Sequence, residues 1–186
     1  MATNMRIDDD LRRAGADLAT GLIGRTEHRK AILPLVQGQF GCSRVSLWRM
    51  NGKSAGSGVW AVQCLAAYAA DAGFEPGGPE SLEREYRAYL AILAGTGSFA
   101  CEDTWARIPL QPAAPGPSTP PAYRAVLVAA FMLNGKPWGA LSCEHITCRV
   151  WAPSESADLK RYASIVAVHV SRLDTLEKRR ASANAG

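Results

Sequence analysis

The chain has 186 residues, 47% of them hydrophobic and 20% charged, a balance that suits one globular domain with terminal extensions and excludes wholesale disorder. No stretch approaches the roughly 20 apolar residues of a membrane span, and a start carrying Asp8, Asp9 and Asp10 lacks the basic opening of a signal peptide, so a cytoplasmic protein without a membrane partner is expected. The net charge of +4 lies wholly in residues 160–186, where Lys160, Arg161, Arg172, Lys178, Arg179 and Arg180 outweigh Asp174 and Glu177; a basic helix end of this kind lacks the aromatic-interleaved face of a nucleic-acid binder.

Leu11, Ala14, Leu18 and Leu22 recur every three to four residues and predict a helix over 8–23. Thr26 is placed to cap a second helix, with Ile32, Leu35, Val36 and Phe40 on one face, a kink at Pro34 and a stop at Gly41. From Arg44 the period falls to two, and Asn51-Gly52 signals a hairpin whose return strand spans 59–69. Ser81 then caps a middle helix that carries Leu82, Tyr86, Tyr89, Leu90 and Leu93 to about residue 93.

Residues 98–101 are a short strand, followed by six prolines between 109 and 121 that exclude a regular helix and predict a long loop. Two strong strands, 125–133 and 138–147, flank Asn134-Gly135-Lys136-Pro137, and a long helix from Pro153 to Leu176 closes the chain. Tight turns between consecutive strands imply an antiparallel sheet of five to six strands. The fold class is therefore α+β, with the terminal helices on one face and the middle helix and loop on the other. The expected organisation is an N-terminal helix over 1–25, a domain over 26–175 and a polar tail over 176–186.

The run Gly41-Cys42-Ser43-Arg44-Val45-Ser46-Leu47-Trp48 resembles the opening of a GAF domain. So does Asn134 through Glu144-His145, with Arg149-Val150-Trp151 and Glu155 leading into the last helix. The resemblance runs over residues 26–175. It implies a regulatory module that holds a small molecule between the sheet and its overlying helix and loops, and that is joined to or acts upon a kinase, cyclase or transcription regulator. The lid it implies comprises residues 86–90 and 101–123. The sequence has no Arg-Cys-His tripeptide for bilin attachment, and its proline run replaces the helix that the family usually carries between the third and fourth strands. The initiating Met and polar end slightly favour a complete short protein over a fragment.

Tyr68, Tyr86, Tyr89, Cys101, Glu102, Asp103, Trp105, Arg107, Tyr123 and Cys143 are the candidate ligand-binding residues, apolar walls with a few placed polar groups. Each has a plainer reading, as core aromatic or solvated turn, and Trp48, Trp138 and Trp151 are assigned to the core. Cys143 and His145 share one side of a strand, and Cys148 or Cys101 would complete a tetrahedral metal set, although a small core cysteine is the better-supported reading. Five cysteines, odd in number and scattered, suit reduced thiols rather than a secreted disulfide framework.

Leu159, Val166 and Leu173 interleave with Tyr162, His169 and Leu176 at heptad spacing, which predicts a parallel helical homodimer with His169 as a pH-sensitive contact in its seam. Together with the resemblance, the sequence leads to the expectation of a ligand-binding sensor, not an enzyme, and does not name its ligand or cofactor. The alternatives are a thiol redox sensor or methionine-sulfoxide-reductase-like enzyme using Cys101 with Cys143 or Cys148, and a ligand-free dimeric scaffold.

Overall fold

The computed structural model describes residues 2–51, 61–78, 80–82, 87–106, 123–133 and 136–184. Its elements run α1 (Ala2–Thr20), α2 (Arg25–Phe40), β1 (Arg44–Asn51), β2 (Ala61–Ala69), β3 (Gly73–Pro76), β4 (Glu80–Leu82), α3 (Arg87–Thr96), β5 (Ser98–Cys101), β6 (Ala125–Leu133), β7 (Lys136–His145) and α4 (Pro153–Asn184). The strands form one antiparallel sheet in the order β3-β2-β1-β7-β6-β5, with β4 pairing beside β3 on the edge of β2. The expected α+β architecture is thereby observed.

Alternation along the strands gives the sheet two covered faces. On the first face Val45, Leu47, Ala66, Leu127, Ala129, Phe131, Leu141 and Cys143 meet Leu11 and Ala14 of α1, Ile32, Leu33, Val36 and Phe40 of α2, and Leu159, Tyr162, Ala163 and Val166 of α4. On the second, Met50, Val62, Phe99, Cys101, Val128 and Ala140 gather with Leu93 of α3. Fully burying one such large side chain contributes about 1.5–3 kcal/mol, so the larger first-face cluster is the main source of stability.

Local chemistry sets the element ends. Gly41, with φ 54° and ψ 33°, closes α2 by donating its N–H to the Gln37 carbonyl, a left-handed position that favours glycine. Thr26 does not cap α2: Gly24 stands at that position without a side-chain hydrogen bond. The middle helix begins later than its spacing predicts, because Glu80–Leu82 pair with Ala61–Gln63 as strand β4. Glu155 caps the other long helix, accepting from the Ala152 N–H at 2.8 Å and from Arg149 Nη2 at 2.6 Å. That helix continues past Leu176 to Asn184, through most of the expected tail.

The heptad stripe is largely internal where side chains are described. Leu159, Tyr162, Ala163 and Val166 are buried within the chain, while Leu173 and Leu176 lie beyond the described side chains. Helices α1 and α4 run side by side in the same direction: Asp8 accepts from Arg161 Nε at 3.1 Å, and the His169 ring lies against Gly15. His169 thus contacts a helix of its own chain, where the heptad reading placed it in a seam between two chains. Asn51 ends β1, paired with Ala61, while Gly52 and the proline-rich run fall outside the described residues.

Candidate functional site

The second face of the sheet carries a buried polar network where a strand covered on both sides is ordinarily apolar. Arg44, Ser46 and Trp48 of β1 alternate with the first-face residues Val45 and Leu47. Ser142 and Glu144 of β7 stand directly opposite Ser46 and Arg44 in the register. Arg44 Nε and Nη2 donate to Glu75 Oε2 at 3.0 and 2.8 Å, and Nη1 donates to Glu144 Oε2 at 3.0 Å. The Ser142 hydroxyl donates to Glu144 Oε1 at 2.7 Å and accepts from Trp48 Nε1 at 3.0 Å.

One group in this network is incomplete. The Ser46 hydroxyl is fully buried and has no hydrogen-bond partner among the described residues. An unmade hydrogen bond at such a position costs about 1–3 kcal/mol, which gives an incoming polar group something to satisfy. Burial works against the charge of Arg44, but Glu144 and Glu75 overcome it and hold the guanidinium above its ordinary value. Arg44 is therefore a fixed cation flanked by two carboxylates, with the Tyr123 ring 5.8 Å from its guanidinium carbon. Small residues, Ala67 and Ala69 on β2 and Ala140 on β7, occupy neighbouring positions of the same face.

A second group lies at the end of the sheet where β7 finishes and β6 begins. Asp103 forms an ion pair with Arg124 and accepts from the Trp105 N–H at 3.0 Å, so the 103–105 turn is tied to the start of β6. Thr104 strengthens the tie, its N–H donating to the Arg124 carbonyl at 2.6 Å and its hydroxyl to the Tyr123 carbonyl at 2.8 Å. The Arg124 guanidinium lies 5.3 Å from the exposed Trp105 ring. Its hydrogen bond holds the Asp103 carboxyl below the usual carboxylate range, whereas Asp103 pushes the Cys148 thiol up.

These placements sort the ten candidate ligand residues. Tyr123 joins Arg44, and Asp103 joins Trp105 with Arg124, a residue the sequence reading passed over. Cys101 is buried on the second face, and Glu102 is exposed with its carbonyl accepting from the Arg149 N–H at 3.1 Å. Tyr68 and Cys143 depart from the pocket assignment: both belong to the first face, beside Val45, against the terminal helices. Tyr86, Arg107 and the Tyr89 side chain lie outside the described residues. Trp138 and Trp151 pack as expected, Trp151 Nε1 donating to the Cys101 carbonyl at 3.3 Å, but Trp48 belongs to the polar network.

Cys101 and Cys143 stand on opposite faces of the sheet, so the thiol pairing drawn from the sequence would have to cross it. Cys143 is buried, Cys148 is exposed beside Asp103, and His145 Nδ1 lies 3.0 Å from the Thr147 hydroxyl. Among the described residues no group of three or more His, Cys, Asp and Glu side chains is placed to hold a metal ion.

Arg44, Ser46, Ser142, Glu144 and Glu75 are the residues that sequence reasoning did not select as a site. The signal was present for the strand members: polar side chains at every second position of strands whose intervening residues are core.

Comparison with known proteins agrees with this architecture. The GAF domain profile matches residues 30–170. A bacteriophytochrome from the photosynthetic bacterium R. palustris superposes with a TM-score of 0.66 at 15% identity, over 95% of this chain and 38% of that one. The chain thus spans well under half of that photoreceptor. The GAF domain of Thermosynechococcus elongatus PixJ, in its blue-light absorbing form, gives 0.60 at 17% identity, over 84% of this chain and 93% of that one. The GAF domain of an Acinetobacter phosphoenolpyruvate-protein phosphotransferase gives 0.63 at 12% identity, over 92% and 96%. No curated protein matches the chain in sequence. No helix among the described residues is long and apolar enough to cross a membrane.

Proposed function

The chain belongs to the GAF domain family, and on that premise we propose that it is a sensory module that binds a small molecule on the second face of its sheet. The observation that carries this reading is the buried Ser46 hydroxyl, unpartnered among the described residues, beside the Arg44–Glu75–Glu144 network. Apolar neighbours such as Met50, Val62 and Cys101 supply walls, and the polar strip supplies the few directional contacts a pocket needs. The role is binding rather than catalysis: the network's carboxylates are held by Arg44 and Ser142 rather than left open for proton transfer.

Occupancy would be read through the terminal helices. Arg149 joins the end of the sheet to Glu155 in the first turn of α4, and α4 lies along α1 through Asp8–Arg161. A ligand that favours one setting of β7 thereby biases α4, and in a homodimer this changes the disposition of the paired helices toward a kinase, cyclase or transcription regulator. The setting is cytoplasmic.

Native mass spectrometry of freshly purified protein tests the reading. The expected result is a dimer that retains a discrete organic mass, lost in Ser46→Val while the dimer persists. A bare chain, or an adduct unaffected by Ser46→Val, contradicts it.

A further inference from the structure

The strand register lines up one row of residues across the second face. Glu75 of β3 stands opposite Ala67 of β2, Ala67 opposite Ser46 of β1, and Ser46 opposite Ser142 of β7. The adjoining row sets Gly73, Ala69, Arg44 and Glu144 side by side. Neighbouring strands lie about 4.8 Å apart, so Arg44 meets Glu75 by reaching across β2, where Ala67 and Ala69 offer only methyl groups. The two rows are unequal in charge: Arg44 brings one positive charge, and Glu75 and Glu144 bring two negative ones.

The hydrogen bonds carry the same imbalance. Glu75 Oε2 accepts both of its bonds from Arg44, and Oε1 has no hydrogen-bond partner among the described residues. Ser142 commits its proton to Glu144 and accepts from Trp48, which leaves the buried Ser46 hydroxyl unanswered. The open positions are therefore a carboxylate oxygen, which only accepts, and a hydroxyl, which donates and accepts. Other described guanidinium groups differ: Arg124 and Arg149 each face one carboxylate, and Arg161, which faces two, stands on the surface of α4.

The geometry points to a cationic ligand: a molecule with a protonated nitrogen, an amine or amidinium, that donates to Glu75 Oε1 while a polar atom further along it reaches the Ser46 hydroxyl. This rests on the reading of the second face as the binding site and adds the charge of what binds there. Covering an excess negative charge costs desolvation energy, which a bound cation offsets through its charge and its N–H donors. An anion meets the open carboxylate instead, and the guanidinium that would attract it already faces two carboxylates. Entry is from the β3 edge: the Glu75 side chain, 37% exposed, forms the rim, and Ala67 and Ser46 behind it are fully buried.

Benzamidine, benzamide and benzoate share one shape and at neutral pH carry a positive, no and a negative charge, so together they test charge alone. Each is titrated into the isotope-labelled full chain, with binding read from the backbone amide resonances of Ser46 and Ala67. Benzamidine is expected to shift both saturably and to bind about tenfold or more tightly than benzoate. Glu75→Gln, a change of equal size at a half-buried side chain, should shrink that preference, and Ser46→Ala should weaken benzamidine, the amide spectra showing that each variant is folded. Equal or tighter binding of benzamide or benzoate at the same amides, or a preference unchanged in Glu75→Gln, would overturn the charge assignment and leave the binding reading standing. Silence of these amides toward all three probes also overturns the assignment, whereas the binding reading falls on its own test, a native mass spectrum without a Ser46-dependent adduct.

Discussion

Arg44 Nη1 and Glu144 Oε2 meet at 3.0 Å between residues directly opposite each other in the β1–β7 pair. The Glu144 side chain is only 9% exposed and the Arg44 side chain 17%. Removing one partner strands a buried charge, whereas removing both does not. Arg44→Met is expected to cost about 3–5 kcal/mol in urea unfolding, with most of it recovered in Arg44→Met/Glu144→Met. A loss in the double variant equal to the sum of the losses in Arg44→Met and Glu144→Met would show that the two charges act independently.

The buried His28 gives stability a defined pH dependence. Burial, then the charges of His169 and Arg29, lower its pKa from 6.5 to about 4, and its Nε2 has no hydrogen-bond partner among the described residues. The folded state therefore binds the proton less well than the unfolded state. Stability from this group is complete above pH 6.5 and is lost as pH falls toward 4, by about 3 kcal/mol in total. Urea midpoints measured between pH 7.5 and 4.5 should fall accordingly, and His28→Gln should flatten the decline.

Gly15 is required by its neighbour rather than by its backbone. A Cβ there would lie 2.1 Å from His169 Cδ2, so Gly15→Ala forces the ring away and loosens α1 from α4. A loss of about 1–3 kcal/mol is expected, restored largely by adding His169→Ala. Thermal unfolding of the four proteins in the cycle measures the coupling.

Gly139 faces harder atoms. Its Cβ would stand 2.6 Å from the Trp48 carbonyl oxygen and 2.8 Å from Phe131 Cδ2, between strands that pair on both sides. Gly139→Ala should destabilise the sheet by at least about 1–3 kcal/mol and broaden near-ultraviolet signals from Trp48 and Trp138. A near-neutral variant would show that β7 shifts freely, which its central position opposes.

The main layers were legible because long strands and helices impose strong periodicities: Ile32, Val36 and Phe40 mark one face of α2, and Val45 and Leu47 one face of β1. Strands β3 and β4, with four and three residues, are too short for a period and were missed. Tyr68 shows a subtler failure. Strict alternation through Val62 and Cys64 carries it to the second face, but the register shifts between Leu47 and Trp48, and the extra β2 residue, Leu65, reverses the parity. The network site escaped notice for a different reason: Arg44 and Glu144 are 100 residues apart in sequence, and only strand order makes them neighbours.

Helix α4 has 32 residues, a length of about 48 Å at 1.5 Å per residue. Among its described side chains the fully buried ones run from Leu159 to Val166, and Arg149 and Glu155 grip its first turn. The helix is therefore a lever clamped at one end. Pivoting it by about 5° at Pro153 sweeps Asn184 through about 4 Å, so a displacement too small to disturb the sheet arrives at the far tip as a movement the size of a side chain.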